Sequence, residues 1–115
     1  MRGGDLVVTS LPQADGILKN RPALVLCPMR PFGDLLVCGI STQLQQEVVG
    51  FDERVSPESF DFTATGLSTT SLIRLGFIST VPLAAVKGRI GTIDPARYRR
   101  LIERLARHIA GFTGQ

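Results

Sequence analysis

A chain of 115 residues suffices for one domain, spanning 1–115, so any active site is carried by one small fold or shared across an oligomer. A composition 43% hydrophobic and 20% charged excludes a disordered or fibrous chain and predicts a real core. The net charge of +3 leans toward polyanionic partners but is too small to establish contact with nucleic acid.

The segment Met1–Asp5 has no apolar region of signal type, and no apolar run approaches bilayer length, so a cytoplasmic chain without membrane contact is expected. Leu6-Val7-Val8 starts a short strand that Leu11 to Gly16 ends with Pro, Asp and Gly turn chemistry. A loop carrying Lys19, Asn20 and Arg21 follows. Pro22 to Cys27 and Asp34 to Ile40 are continuous apolar runs separated by a turn at Met29 to Gly33, which predicts a central hairpin buried on both faces. Cys27 and Cys38 lie inside these runs and are expected as packing thiols in a reducing compartment.

Ser56-Pro57 reads as a turn, and Phe60 and Phe62 alternating with Ser59 and Asp61 predict a short half-buried strand. In Leu72 to Ile78, period two places Ile73, Leu75 and Phe77 on one face and Arg74 with Gly76 on the other, the candidate working face. Gly88 to Ile93 forms a last strand whose two glycines permit a bend or a close backbone approach. Asp94 before Pro95 is a helix start, and a helix over Pro95 to Ala110 is expected. Tyr98, Leu101, Ile102, Leu105, Ile109 and Phe112 form its apolar stripe, with Arg97, Arg100, Arg104 and Arg107 as a solvated basic face. About six short strands and one terminal helix describe a mainly β fold, a small partly open barrel or sandwich.

No phosphate-binding glycine loop, nucleophile elbow or metal-ligand cluster is present, and with one histidine a zinc site of usual ligand count is not expected. Arg21 stands directly before one central strand and Ser41-Thr42-Gln43 where the next one ends, which in an antiparallel hairpin is the same edge. A guanidinium with a hydroxyl donor can stabilise the extra negative charge of a phosphorane without a metal. The same residues also suit a surface ion pair at Arg21 and a side-chain turn at Ser41 or Thr42.

Gly4-Asp5-Leu6-Val7, Arg21-Pro22-Ala23-Leu24-Val25-Leu26, Ile40-Ser41-Thr42-Gln43 and Lys87 to Ile93 together resemble, in order and separation, the marks of MazF/PemK toxins. The resemblance runs from about Gly4 to the C-terminal helix. It implies an SH3-like barrel with that helix, a homodimer, metal-independent cleavage of single-stranded RNA to a cyclic phosphate with no cofactor, and restraint by an acidic antitoxin. It also implies that Arg21 acts as acid or charge stabiliser and that Ser41, with Thr42 beside it, holds the phosphate. Asp15, Lys19, Asn20, Gln43 and Arg74 are the accompanying substrate-binding candidates. Several family members carry an acid in the strand corresponding to Leu72 to Ile78, where this chain has none, so the general base stays open. Two other readings remain: an inactive relative that binds RNA or antitoxin, and a gyrase poison of the CcdB type. The latter resemble one another in a tryptophan near the C-terminus, which this chain lacks.

Overall fold

A computed structural model of the chain describes residues 1–13 and 15–113. Ala14, part of the expected turn, and the terminal Gly114 and Gln115 lie outside the described residues. Strands β1 (Asp5–Pro12), β2 (Leu18–Met29), β3 (Asp34–Ser41), β4 (Glu53–Val55), β5 (Ser71–Val81) and β6 (Val86–Thr92) form one antiparallel sheet in the order β4-β5-β3-β2-β1-β6. A short helix α1 (Phe62–Thr65) and a long one, α2 (Pro95–Ala110), complete a mainly β, partly open barrel. Among the described residues, no helix is long and apolar enough to cross a membrane.

The continuous apolar runs of β2 and β3 are explained by burial on both faces. Leu24 and Leu26 point into a core with Leu6, Ile40, Ile73, Ile93 and the α2 residues Leu101 and Leu105. Ala23 and Val25 point the other way, toward Val7, Leu11, Leu35, Val37 and Val81. Each fully buried Leu or Val contributes about 1.5–3 kcal/mol relative to exposure, so the hairpin is the main source of hydrophobic stabilisation. Cys38 packs in the first core, and burial, then the charge of Asp52, pushes its thiol up to about 12, which leaves it inert. Cys27 is only half-buried, with its thiol 3.7 Å from the Met29 sulfur.

Three expectations need correction. Lys19, Asn20 and Arg21 are not in a loop; β1 and β2 continue their hairpin to Pro12 and Leu18, pairing Thr9 with Arg21 and Leu11 with Lys19. Phe60 belongs to no strand and is 84% exposed, while Phe62 opens α1. The strand in this region is Glu53–Val55, whose charged sequence carries no apolar alternation, and Asp61 is buried as an ion-pair partner rather than turned to solvent. Of the two glycines in the last strand, only Gly91 meets a close approach: a Cβ there would sit 2.3 Å from the backbone of Ala64 and Thr65.

The helix begins as its sequence implies, with the Asp94 carboxylate accepting the Ala96 N–H at 2.9 Å and Pro95 in the first turn. Tyr98 donates its hydroxyl to the Leu26 carbonyl at 2.7 Å and Leu101 and Leu105 are buried, but Ile109 and Phe112 stay more than half exposed. The arginine face is the third correction, because most of it is not solvated. Arg97 grips Asp61 through two hydrogen bonds, of 2.9 and 3.1 Å, and reaches Glu53 at 2.8 Å. Arg100 and Arg104 converge on the same Glu53 at 2.7 and 3.0 Å. Only Arg107 fits the expectation, exposed with one contact to a carbonyl of its own helix. These bonds fasten α2 to β4 and to the turn before α1.

Burial raises the carboxyls of Glu53 and Asp61, but their arginine partners outweigh it, chiefly Arg100 for Glu53 and Arg97 for Asp61, and hold both below the usual carboxylate range. A folded value below the unfolded one adds stability above the ordinary carboxylate value, lost as pH falls through the depressed one. Thermal stability should therefore decline on acidification below about pH 4. Arg97 is 11% exposed and Asp61 3%, so Arg97→Ala leaves a buried acid uncompensated and should cost about 3–5 kcal/mol in denaturant unfolding. Exposed Arg99→Ala should change stability by less than about 0.5 kcal/mol. Equal effects of the two substitutions would contradict this assignment.

Candidate active site

Because β2 and β3 are antiparallel neighbours, the early part of β2 and the end of β3 share one edge of the sheet. A groove of about 570 Å³ opens there. Leu11 to Gln13 and Arg21 line it from the β1–β2 side, Ser41, Thr42, Gln43 and Gln46 from the end of β3, and Arg74, Gly76 and Phe77 from β5. The structure thus brings together Arg21, Ser41, Thr42, Gln43 and Arg74. It does not bring Asp15, Lys19 or Asn20 to the groove. The Asp15 carboxylate instead accepts the Ile17 N–H at 3.0 Å and shapes the hairpin turn, and the Asn20 side chain accepts from the Ser10 hydroxyl at 3.1 Å. Lys19 sits exposed opposite Leu11.

The β5 side has the least regular backbone. Gly39 pairs with Arg74, yet its neighbour Cys38 pairs with Ile78, so Leu75, Gly76 and Phe77 form a bulge with no partner on β3. The Asp52 carboxylate supplies the missing acceptor: its Oδ1 takes the Leu75 N–H at 3.0 Å while Oδ2 takes the Val48 N–H at 2.9 Å. Asp52 is itself buried. The bulge breaks period two. Leu75 enters the core as expected, but Phe77 leaves the face of Ile73 and joins Arg74 and Gly76 in the groove, a correction to the alternation. The Arg74 guanidinium carbon stands 5.4 Å from the centre of the Phe77 ring.

The groove holds two guanidinium groups that no carboxylate among the described residues neutralises. Arg54, Arg89, Arg97, Arg100 and Arg104 each have a carboxylate partner, whereas among the described residues Arg21 and Arg74 have none. Among the described residues, no Asp, Glu or His lines the groove. His108 lies elsewhere, on α2 between the rings of Phe51 and Phe112 at 4.7 and 5.2 Å. The Ser41 hydroxyl accepts the Gln43 N–H at 3.0 Å, the side-chain turn that its position allows, and keeps its own proton for donation. The Gln43 side-chain oxygen accepts from Gln45 at 2.8 Å, which leaves the Gln43 amide N–H groups free to donate. Two cations, two hydroxyls and an amide in an acid-free groove suit an anion with several oxygens, such as a phosphodiester. Sequence reasoning missed Gln13, Gln46 and Phe77. Gln46 stands three residues after Gln43, Gln13 lies in a segment read only as a strand-ending turn, and the bulge hid Phe77. Among the described residues, no group of three or more His, Cys, Asp or Glu could hold a metal ion.

A family model described as a PemK-like, MazF-like toxin of type II toxin-antitoxin systems matches residues 2–109. No curated protein matches the sequence. Among solved structures, the Mycobacterium tuberculosis toxin MazF-mt6 superposes with a TM-score of 0.68 over 92% of this chain and 96% of that one. At 18% identity this likeness shows the fold.

If the Asp52 carboxylate holds the bulge, Asp52→Asn should release it, because the amide keeps one acceptor oxygen for two N–H groups. The expected cost is about 1–3 kcal/mol. Hydrogen exchange should quicken at the amide of Leu75 or of Val48. Unchanged exchange at both would show that the bulge is held by something else.

Proposed function

The chain belongs to the PemK-like, MazF-like toxin family of type II toxin-antitoxin systems, and from that premise we propose that it is a metal-independent endoribonuclease cutting single-stranded RNA in the groove of Arg21 and Arg74. The observation that carries this reading is a groove with two uncompensated guanidinium groups beside two hydroxyls and no carboxylate. Such a field attracts a polyanion and stabilises charge that grows in a transition state.

RNA brings its own nucleophile. The 2′-oxygen attacks the adjacent phosphorus, the bond to the 5′-oxygen breaks, and the products are a 2′,3′-cyclic phosphate and a 5′-hydroxyl. Arg21 faces the non-bridging oxygens as they gain charge, and its planar fork can hold two of them. Ser41 and Thr42 donate hydroxyl protons to the phosphate, with Gln43 and Arg74 fixing the strand on either side. With no side-chain base in the groove, the 2′-hydroxyl proton passes to solvent hydroxide and water protonates the departing oxygen.

The remaining parts of the proposal are a homodimer, an acidic antitoxin and action in the cytoplasm. Exposed Ile109 and Phe112 at the end of the α2 stripe favour association of two copies. The bare cations of the groove favour an acidic segment that covers them.

Arg21→Ala should lower the cleavage rate on the order of a hundred- to a thousandfold while shifting stability by only a few tenths of a kcal/mol, since the side chain is exposed. Arg21→Lys should recover little, and Arg99→Ala should cut at the original rate. Full cleavage by Arg21→Ala would remove Arg21 from the chemistry, and binding of RNA by the unmodified protein without cutting would favour the inactive relative. The rate should also rise about tenfold per pH unit through neutrality, as hydroxide does. A bell-shaped profile with a limb near pH 6 to 7 would reveal a side-chain base instead.

A further inference from the structure

The bulge in β5 does more than bring a cation to the groove, because it also delivers an aromatic ring that the core does not use. Phe77 packs in neither of the two apolar clusters, although it lies in a strand whose Leu72, Ile73 and Leu75 are fully buried. It is partly exposed and lines the groove. Its seat is Gly39: a Cβ added there would lie 3.0 Å from ring Cδ2, 3.4 Å from Cγ and 3.5 Å from Cε2, so the ring rests on bare backbone. The Arg74 guanidinium carbon stands over the ring, 5.4 Å from its centre and without a carboxylate partner among the described residues.

We propose that Phe77, seated on Gly39 and covered by the movable Arg74 side chain, is a stacking subsite for one unpaired base of the single-stranded RNA bound in this groove. The inference rests on the RNA reading above and deepens it. A phosphodiester alone would need only the cations and hydroxyls. The long Arg74 side chain over the ring turns to the phosphate when RNA binds and the base takes its place, which leaves the ring on the base and the cation on the phosphate next to it. The base must be unpaired, because a base stacked within a duplex has no free face for the ring. The subsite therefore supplies a reason for single-strand selectivity that the charges do not. The groove, about 570 Å³, lies within the 300–1,000 Å³ typical of small-ligand sites.

Anisotropy measurements with a short, labelled, single-stranded 2′-O-methyl RNA of mixed sequence test this apart from cleavage, since that RNA has no 2′-hydroxyl nucleophile. An abasic nucleotide is moved along the probe one position at a time. For the unmodified protein, one position should weaken binding on the order of 5- to 150-fold. Phe77→Leu should weaken binding of the intact probe by a similar factor and lose its response to the abasic position, whereas Phe77→Trp should keep both affinity and response. An abasic penalty that persists in Phe77→Leu overturns the proposal, as does intact-probe binding equal to that of the unmodified protein. Absence of binding to any probe also overturns it. The parallel digestion of ordinary RNA separates the two claims: stacking without cutting removes the enzyme reading and leaves the subsite, while cutting without an abasic effect does the reverse.

Discussion

The buried carboxylate of Asp52 is the contact on which the groove depends. A sheet strand that carries three residues without partners leaves backbone donors to satisfy, and a donor buried without an acceptor costs about 1–3 kcal/mol. Asp52 takes the Leu75 N–H with one oxygen and the Val48 N–H with the other. With Leu75 held, its side chain fills the core, and Arg74 on one side and Phe77 on the other reach the groove. The second bond ties the same carboxylate to the segment that follows Gln43 and Gln46, so the β5 side and the side after β3 are referred to one buried group. Regular pairing would have sent Phe77 to the core side with Ile73 and Leu75.

Charge is partitioned rather than spread. Glu53 alone receives Arg97, Arg100 and Arg104, and Asp61 shares Arg97, which spends most of the basic stripe of α2 on attaching the helix. Asp5 and Glu47 neutralise Arg89 and Arg54. Of the cations left without a carboxylate partner among the described residues, Arg21 and Arg74 share the groove. A net charge of +3 is a weak indicator of polyanion binding, but two unpaired arginines facing one acid-free cavity are a local field, and local fields decide where an anion sits. The arrangement suits cleavage in which the substrate supplies the nucleophile and the protein supplies charge.

Much of this could be read from the residues. The apolar runs around Leu24 and Val37 announced strands buried on both faces, Asp94-Pro95 announced the helix start, and antiparallel geometry placed Arg21 and Ser41 at one edge. The family resemblance rested on four short segments, two of them holding Arg21 and Ser41, and the family model covers residues 2–109. What sequence could not show depends on contacts between distant residues. Pairing with Thr9 to Leu11 draws Lys19 to Arg21 into a strand despite their polarity. Phe60 and Phe62 mimic a strand because Asp61 reads as a solvent residue until Arg97 is placed against it from 36 positions away. The face of Phe77 follows from a bulge that depends on Asp52, and no local pattern announces either.

The central claim is that charge and hydroxyl donors in this groove suffice to cut RNA whose nucleophile is its own 2′-hydroxyl. The most direct test is incubation of the purified protein with single-stranded RNA in excess EDTA, followed by identification of the fragment ends. The account predicts cleavage undiminished by the chelator, with 2′,3′-cyclic phosphate and 5′-hydroxyl ends, and an intact strand when the RNA is 2′-O-methylated. Cleavage that stops in EDTA and returns with a divalent ion, or fragments bearing 5′-phosphates, would contradict it.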